Sequence, residues 1–201
     1  MRSTSPTPPR RDLHGHEVTS HWLFQLAVLA IGVFWVVGAY NRLMRLRNAL
    51  MAAWDQIEPP LLRRSEAIAT VVAAVREPLA AEAGTLQALA DADAKQRAAA
   101  EAVKGARASV ATVAGWVAAE AALASPASRL RALLELQRPE LPEPLSRAVT
   151  QALAAWVEAE PRIGFARQAF NDAAQAYNLA LHQWPTRLLT ALFGHHAAGR
   201  A

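Results

Sequence analysis

Between Trp22 and Tyr40 the chain reads WLFQLAVLAIGVFWVVGAY, nineteen residues without a charge and with Gln25 as the one strongly polar side chain. As a helix rising about 1.5 Å per residue this stretch extends roughly 28 Å, close to the hydrocarbon thickness of a bilayer. A single helix satisfies every backbone N–H and C=O internally, as lipid demands, so the stretch reads as one membrane-spanning helix over residues 22–40. Aromatic rings at Trp22, Trp35 and Tyr40 lie towards its ends, where amphipathic rings settle at the interface. The remainder divides into a short tail on one side and a large domain on the other.

The tail, residues 1–21, is rich in Pro, Ser and Thr and has no apolar period, so it is expected to be disordered. Arg10-Arg11 ahead of an apolar run admits a cleaved signal peptide with Val37-Gly38-Ala39 as the small-residue site, but the run exceeds the usual length and its downstream flank is basic. An uncleaved anchor fits better. Arg42, Arg45 and Arg47 stand directly against the far end of the span, whereas Arg2, Arg10 and Arg11 lie further from the near end. The positive-inside rule therefore points to an outward tail and a domain in the cytoplasm, with the opposite orientation as the alternative. His14, His16 and His21 have no carboxylate or cysteine framework around them and read as part of a solvated tail, as do His195 and His196 at the other end.

The domain reads as all-α. The chain is 53% hydrophobic, much of it alanine, and only 6% aromatic, which suits long thin helices that approach closely. A net charge of +4 spread along the sequence gives no nucleic-acid footprint, and the absence of cysteine excludes disulfides, thiolate nucleophiles and cysteine-based zinc sites. Leu43, Leu46, Leu50, Ala53 and Ile57 recur at spacings of three and four and continue the spanning helix as a rod, with Asn41, Asn48 and Asp55 seven apart on a neighbouring stripe. Pro59-Pro60 kinks or ends this rod. Leu61, Ile68, Val72, Val75 and Leu79 resume the period, with Arg63, Arg64 and Glu66 placed on other faces and Pro78 as a second bend. An alanine-rich return helix is expected over Leu86 to Leu123, and Ser125-Pro126 reads as the cap and first turn of a further short helix. Pro139, Pro142 and Pro144 mark a turn.

The strongest pattern is the last. Val149, Leu153, Trp156, Glu160, Ile163, Arg167, Phe170, Ala174, Tyr177, Leu181 and Trp184 step by four and three, a heptad seam on a helix of about forty residues, roughly 60 Å long. Such a helix needs the first rod as its partner, and the expected architecture is an elongated antiparallel bundle of about four long helices over residues 41–194. Glu160 and Arg167 fall in the seam, where an unpaired charge would cost several kcal/mol, so an inter-helix ion pair or hydrogen-bond layer that sets register is expected there, with a buried charged site switched by a ligand or proton as the alternative. Asn171 and Asn178 are placed to meet Asn41 and Asn48 as polar layers that set alignment. Trp184, Leu188, Leu192 and Phe193 suit either an interfacial segment that, with Arg42, Arg45 and Arg47, lies at the membrane surface, or a cap on the bundle. Residues 195–201 are expected to be disordered.

Two distant segments resemble the LemA family of bacterial membrane-anchored helical proteins. The first is Tyr40-Asn41-Arg42-Leu43 through Leu46-Arg47-Asn48, Ala53-Trp54, Gln56-Ile57 and Leu62-Arg63-Arg64. The second is Arg162-Ile163, Ala166-Arg167-Gln168, Asn171-Asp172-Ala173, Tyr177-Asn178 and Trp184-Pro185, closing with Leu192-Phe193-Gly194. The resemblance implies a single N-terminal span in the bacterial inner membrane, a long-helix bundle, an outward tail and an inward domain, with no assigned enzyme activity. The sequence departs from the family pattern at Pro59-Pro60 and at Ile68-Ala69-Thr70-Val71.

No paired catalytic constellation is evident. Ser65, Ser109, Ser128 and Ser146 have only His182 as a histidine within the domain, and Asp91 and Asp93 read as solvated on an alanine-rich helix. The expectation is a non-enzymatic protein without cofactor or metal. It would act as a scaffold or adaptor through a protein partner or self-association, with the lipid bilayer as its other partner and no nucleic acid. The alternative is a membrane-surface or envelope modulator whose C-terminal amphipathic segment binds lipid.

Overall fold

A computed structural model describes residues 15–137, 141–183 and 196–201 of the chain. Among these it contains five α-helices: α1 (Gly15–Asp55), α2 (Glu58–Val75), α3 (Ala83–Gly105), α4 (Val110–Gln137) and α5 (Glu143–His182), with a short 3-10 turn at Ala80–Glu82. Residues 15–21, expected to be disordered, are the opening turns of α1; the tail before them, Pro139 and residues 184–195 with the interfacial positions Trp184, Leu188, Leu192 and Phe193 lie outside the described residues.

Prolines set two of the boundaries as the sequence suggests. Pro59 and Pro60 occupy the first turn of α2, where helical N–H groups have no intrahelical partner in any case, so the break falls at Gln56-Ile57 and α1 hands over to α2 almost directly. Pro142 precedes α5 with extended backbone (φ −52°, ψ 140°). The alanine-rich return is two helices rather than one. The chain turns at Ala106–Ser109, where Ala108 N–H donates to Val103 O at 2.8 Å and Arg107 N–H to Lys104 O at 3.2 Å. This is a Schellman cap with Arg107 (φ 51°) in the left-handed position usually held by glycine. Ser109 then caps α4: its hydroxyl accepts from Thr112 N–H at 3.3 Å. Ser125-Pro126, by contrast, starts no helix; Pro126 sits inside α4. Leu123, Ala127, Leu130 and Leu134 form one buried stripe across it, and burial on both sides offsets the lost backbone bond.

Pairs α2–α5 and α3–α4 form the two main packed layers, and the domain half of α1 runs against α5. The α5 partnership is antiparallel: Arg42 Nη1 donates to Gln183 Oε1 at 3.0 Å, Trp54 meets Phe170, and Arg63 meets Glu158. The core lies in two clusters. One joins Leu43, Leu50, Trp54 and Ile57 to Trp116 and to Ile163, Phe170 and Tyr177; the other joins Ile68, Val71 and Val75 to Leu89, Leu130, Val149 and Trp156. At the centre of the first, Trp54 packs edge-on against both Trp116 (centroids 5.1 Å apart) and Phe170 (5.3 Å). The buried stripe of α5 departs from the expected seam at alternate positions. Val149, Trp156, Ile163, Phe170 and Tyr177 are buried as expected, but Ala152, Ala159 and Ala166 replace Leu153, Glu160 and Arg167 between them. Alanines admit close helix approach and cost no desolvation, so the helix turns its charges to the seam's margin.

The stretch Trp22 to Tyr40 is exposed throughout except for half-buried Ala39, although its residues are large and apolar. By length and composition α1 can cross a bilayer; α4 passes the same test, but its apolar residues Val113, Trp116, Leu123, Leu130 and Leu134 are buried in the bundle.

Because Trp54 ties α1 to α4 and α5 at once, Trp54→Ala is expected to destabilise the bundle by about 3–5 kcal/mol in denaturant titration. Phe165→Ala, which truncates a side chain 74% exposed, should change stability by less than about 0.5 kcal/mol.

Candidate functional site

Two polar constructions are candidates for function. The first is a belt of charged and amide side chains lying between the two apolar clusters on α2, α3, α4 and α5. On α2 the first cluster ends at Leu61 and the second begins at Ala67; Arg64 and Ser65 stand between. On α4 Glu120 stands between Trp116 and Leu123, on α5 Glu160 between Trp156 and Ile163, and on α3 Asp93 and Gln96 between Leu89 and Val103. Arg64, only 2% exposed, makes a two-pronged pair with Glu120, Nη1 to Oε2 at 3.0 Å and Nη2 to Oε1. Its Nη1 also lies 3.7 Å from Glu160 Oε2. Glu160 accepts from Trp156 Nε1 at 2.8 Å and sits 3.6 Å from Arg131, whose guanidinium stacks over the Trp156 ring at 4.3 Å. Next door the Ser65 hydroxyl donates to Asp93 Oδ2, which also accepts from Arg97 Nε at 3.1 Å. Arg64, Glu120, Arg131, Trp156 and Glu160 line an open cleft of about 400 Å³.

Glu160 and Arg167 thus lie at the margin of the core. Glu160 joins α5 to α2 and α4, and Arg167 lies over the Trp116 ring at 5.4 Å. Arg64 and Asp93 depart from the sequence reading, which placed Arg64 off the apolar face and Asp93 in solvent; both are buried. The signal was in the spacing. Arg64 falls three after Leu61 and four before Ile68, and Asp93 four after Leu89, so each sits on its helix's apolar stripe. The belt's chemistry is three guanidinium charges, those of Arg64, Arg97 and Arg131, answered by carboxylates, and the pairing sets the geometry between helices.

The second construction is a groove between α5 and the α3–α4 turn, filled by residues 198–201. Asn178 Nδ2 donates to Ala198 O at 2.9 Å and its Oδ1 accepts from Ala198 N–H at 2.8 Å. One heptad earlier on α5, Asn171 repeats the pattern with Ala201, donating at 2.6 Å and accepting at 2.7 Å. Asn171 and Asn178 therefore bind backbone of this segment and do not face Asn41 and Asn48, which are exposed on α1. Residues 196–201, expected to be disordered, are seated instead: Ala198 bridges Ser109 in antiparallel fashion and Gly199 N–H donates to Ala108 O at 3.0 Å. A pair of amides seven residues apart on a helix was readable; what they would bind was not, since an asparagine amide mimics a peptide group and takes either partner. Of the proposed membrane-surface arginines, Arg42 bonds Gln183, Arg45 is exposed, and Arg47 is half-buried beside Tyr177.

Burial pushes the Tyr177 phenol above its ordinary value, with the Arg47 charge opposing, and the Glu58 carboxylate at 2.9 Å raises Lys104. Among the described residues no group of three or more His, Cys, Asp or Glu side chains could hold a metal ion.

A sequence model of the LemA family matches residues 53–200, most of the chain, and the protein belongs to that family. The match begins two residues before α1 ends and takes in the belt and both groove asparagines. No curated protein matches the chain.

Arg64→Ala, which leaves Glu120 without its partner, is expected to cost about 3–5 kcal/mol of stability, whereas Arg64→Met with Glu120→Leu should recover most of that loss. For Tyr177 the sign follows from its raised folded value. The unfolded chain releases the phenolic proton first, so the contribution is complete below about pH 10 and is lost as pH rises through the folded value. Tyrosinate absorbance of a Tyr40→Phe variant should accordingly appear above pH 10, and Tyr177→Phe should flatten the alkaline decline in melting temperature.

Proposed function

We propose that this LemA-family protein is a single-pass, membrane-anchored helical scaffold or adaptor that acts by binding protein rather than by catalysis. The observation that carries the reading is the exposed apolar stretch from Trp22 to Tyr40, continuous in one helix with the domain's first strut. Water does not favour so large an uncovered apolar surface, and a bilayer covers it. In this reading the bundle stands on the cytoplasmic side of the bacterial inner membrane with Arg42, Arg45 and Arg47 at the lipid surface. Exposed Val157, Phe165 and Leu179 on α5 offer contact surface for a protein partner or a second copy. Near them Pro59, Pro60, Arg63, Pro161 and Phe165 line a shallow, mostly apolar groove of about 530 Å³.

A second reading has one observation in its favour. Gln183, immediately before Trp184, bonds Arg42, two residues beyond the apolar stretch, so the chain leaves α5 at the level where lipid headgroups would begin. In that reading the protein modulates the membrane or envelope surface through Trp184, Leu188, Leu192 and Phe193.

Three measurements on the full chain test the scaffold reading. Placing aspartates at Leu29 and Val33 should move the protein from alkali-resistant membrane to the soluble fraction, since each charge at a span's centre costs about 2.5–3.5 kcal/mol. As the chain lacks cysteine, Ala88→Cys gives a single thiol, which an impermeant maleimide should reach only after the inner membrane is opened. A photo-crosslinker at Phe165 should give a discrete adduct in native membranes. Soluble wild-type protein, or no adduct from any of the three exposed α5 positions, would count against the reading; loss of liposome binding on deleting 185–194 would favour the second.

A further inference from the structure

The groove between α5 and the α3–α4 turn has the construction of a peptide-recognition site. Two asparagines seven apart on a helix are separated by about 10.5 Å, and residues three apart in a chain that turns once in three residues by about 9 Å, so the ladder matches one repeat length to the other. The match is used in full: Asn178 pairs with both backbone groups of Ala198, and Asn171 with both of Ala201. Four hydrogen bonds go to main chain and none of them reads a side chain. On the opposite wall the Ala108 carbonyl accepts from Gly199 N–H. That carbonyl is presented by a turn in which two successive non-glycine residues, Arg107 (φ 51°) and Ala108 (φ 58°), hold left-handed backbone, a conformation that costs about 1–2 kcal/mol per residue. Strain kept at a turn that offers a backbone acceptor to the bound segment fits a built site.

Selectivity comes from the space available. A Cβ at position 199 would lie 2.5 Å from Val113 Cβ and 3.1 Å from Ser109 O, and Val113 is fully buried on α4, so the wall cannot yield. Ala198 is itself buried at 6% exposure. The site therefore takes an extended segment with a small residue at its first position, glycine at its second and backbone pairing again at its fourth, the pattern Ala198-Gly199-Arg200-Ala201.

We propose that this groove is a receptor site for extended peptide segments of the form small-Gly-x-small on a partner protein, and that residues 198–201 occupy it as a tethered competitor that such a segment displaces. The proposal rests on the scaffold reading and names the partner's chemistry within it. A tether makes the internal segment's effective concentration high, so a free peptide competes poorly until the internal copy is disabled.

The test uses the full chain in detergent and a fluorescein-labelled peptide of residues 195–201, HHAAGRA. Fluorescence anisotropy should show saturable binding to the Gly199→Val protein at least about tenfold tighter than to the unaltered protein, because valine at 199 expels the internal segment and leaves α5 untouched. Adding Asn171→Ala and Asn178→Ala should abolish binding, and a peptide with valine for its glycine should not bind. Should Gly199→Val lose its helical circular dichroism, Ala198→Pro, which deletes the N–H donated to Asn178, takes its place. Independently, hydrogen exchange of the unaltered chain should protect the Ala198 and Ala201 amides, and protection should vanish in the double asparagine variant. A folded variant that binds no peptide, binding that survives loss of both asparagines, or unprotected amides would overturn the proposal. None of these outcomes touches membrane retention or the Phe165 adduct, on which the scaffold reading stands separately.

Discussion

The constraint on which the fold depends is the polar belt, because it gives otherwise interchangeable alanine-rich helices a single relative level. Apolar stripes of small side chains can slide by a turn, or by a heptad, with little loss of buried area. Arg64 cannot. Held at 2% exposure, its guanidinium must meet Glu120 on α4 and Glu160 on α5 together, and Ser65 beside it must meet Asp93 on α3. Any slip strands a buried ion, a cost that exceeds what sliding could recover. With the belt aligned, the two apolar clusters fall into place on either side, and the far end of α5 arrives at the level of Arg42.

From that alignment follow the positions of the candidate sites. The turn at Ala106–Ser109 lands beside the last turns of α5, so a backbone acceptor on one wall and two side-chain amides on the other face the same extended segment. The apolar half of α1 emerges at the same end of the bundle. The apolar stretch, the basic residues after it and the groove are thereby gathered at one pole, while the last turn of α4 and the first turn of α5 lie at the other.

Much of this architecture was legible because it rests on periodicity. Leu43, Leu50, Ala53 and Ile57 on the first strut, and Trp156, Ile163, Phe170 and Tyr177 on the last, are buried where spacing put them. The family resemblance read from two distant segments agrees with the match over residues 53–200. Three features were misread for identifiable reasons. A strict alternation of three and four carried Glu160 and Arg167 into the seam, although the alanines one position earlier bury without desolvation. The split of the alanine-rich return was written in Ser109-x-x-Thr112 after Gly105, but a cap with arginine in the left-handed position hides the usual glycine signal. Pro126 resembled a helix start because local propensity, taken alone, has no knowledge of the buried stripe that continues through it. The burial of Arg64 and Asp93 was legible in their spacing from Leu61, Ile68 and Leu89, and their charge hid it; the seating of residues 198–201 depends on which helix faces which, and that is tertiary information.

The level of α5 against α1 is the most direct test of the whole account. With Arg42→Cys paired in turn with Gln183→Cys and with Ala176→Cys, one heptad away, a short bismaleimide applied to the otherwise cysteine-free chain in membranes reads that level. Efficient cross-linking of 42 to 183 and little of 42 to 176 is the predicted result. Equal yields, or preference for 176, would mean that the belt does not fix the helices in register.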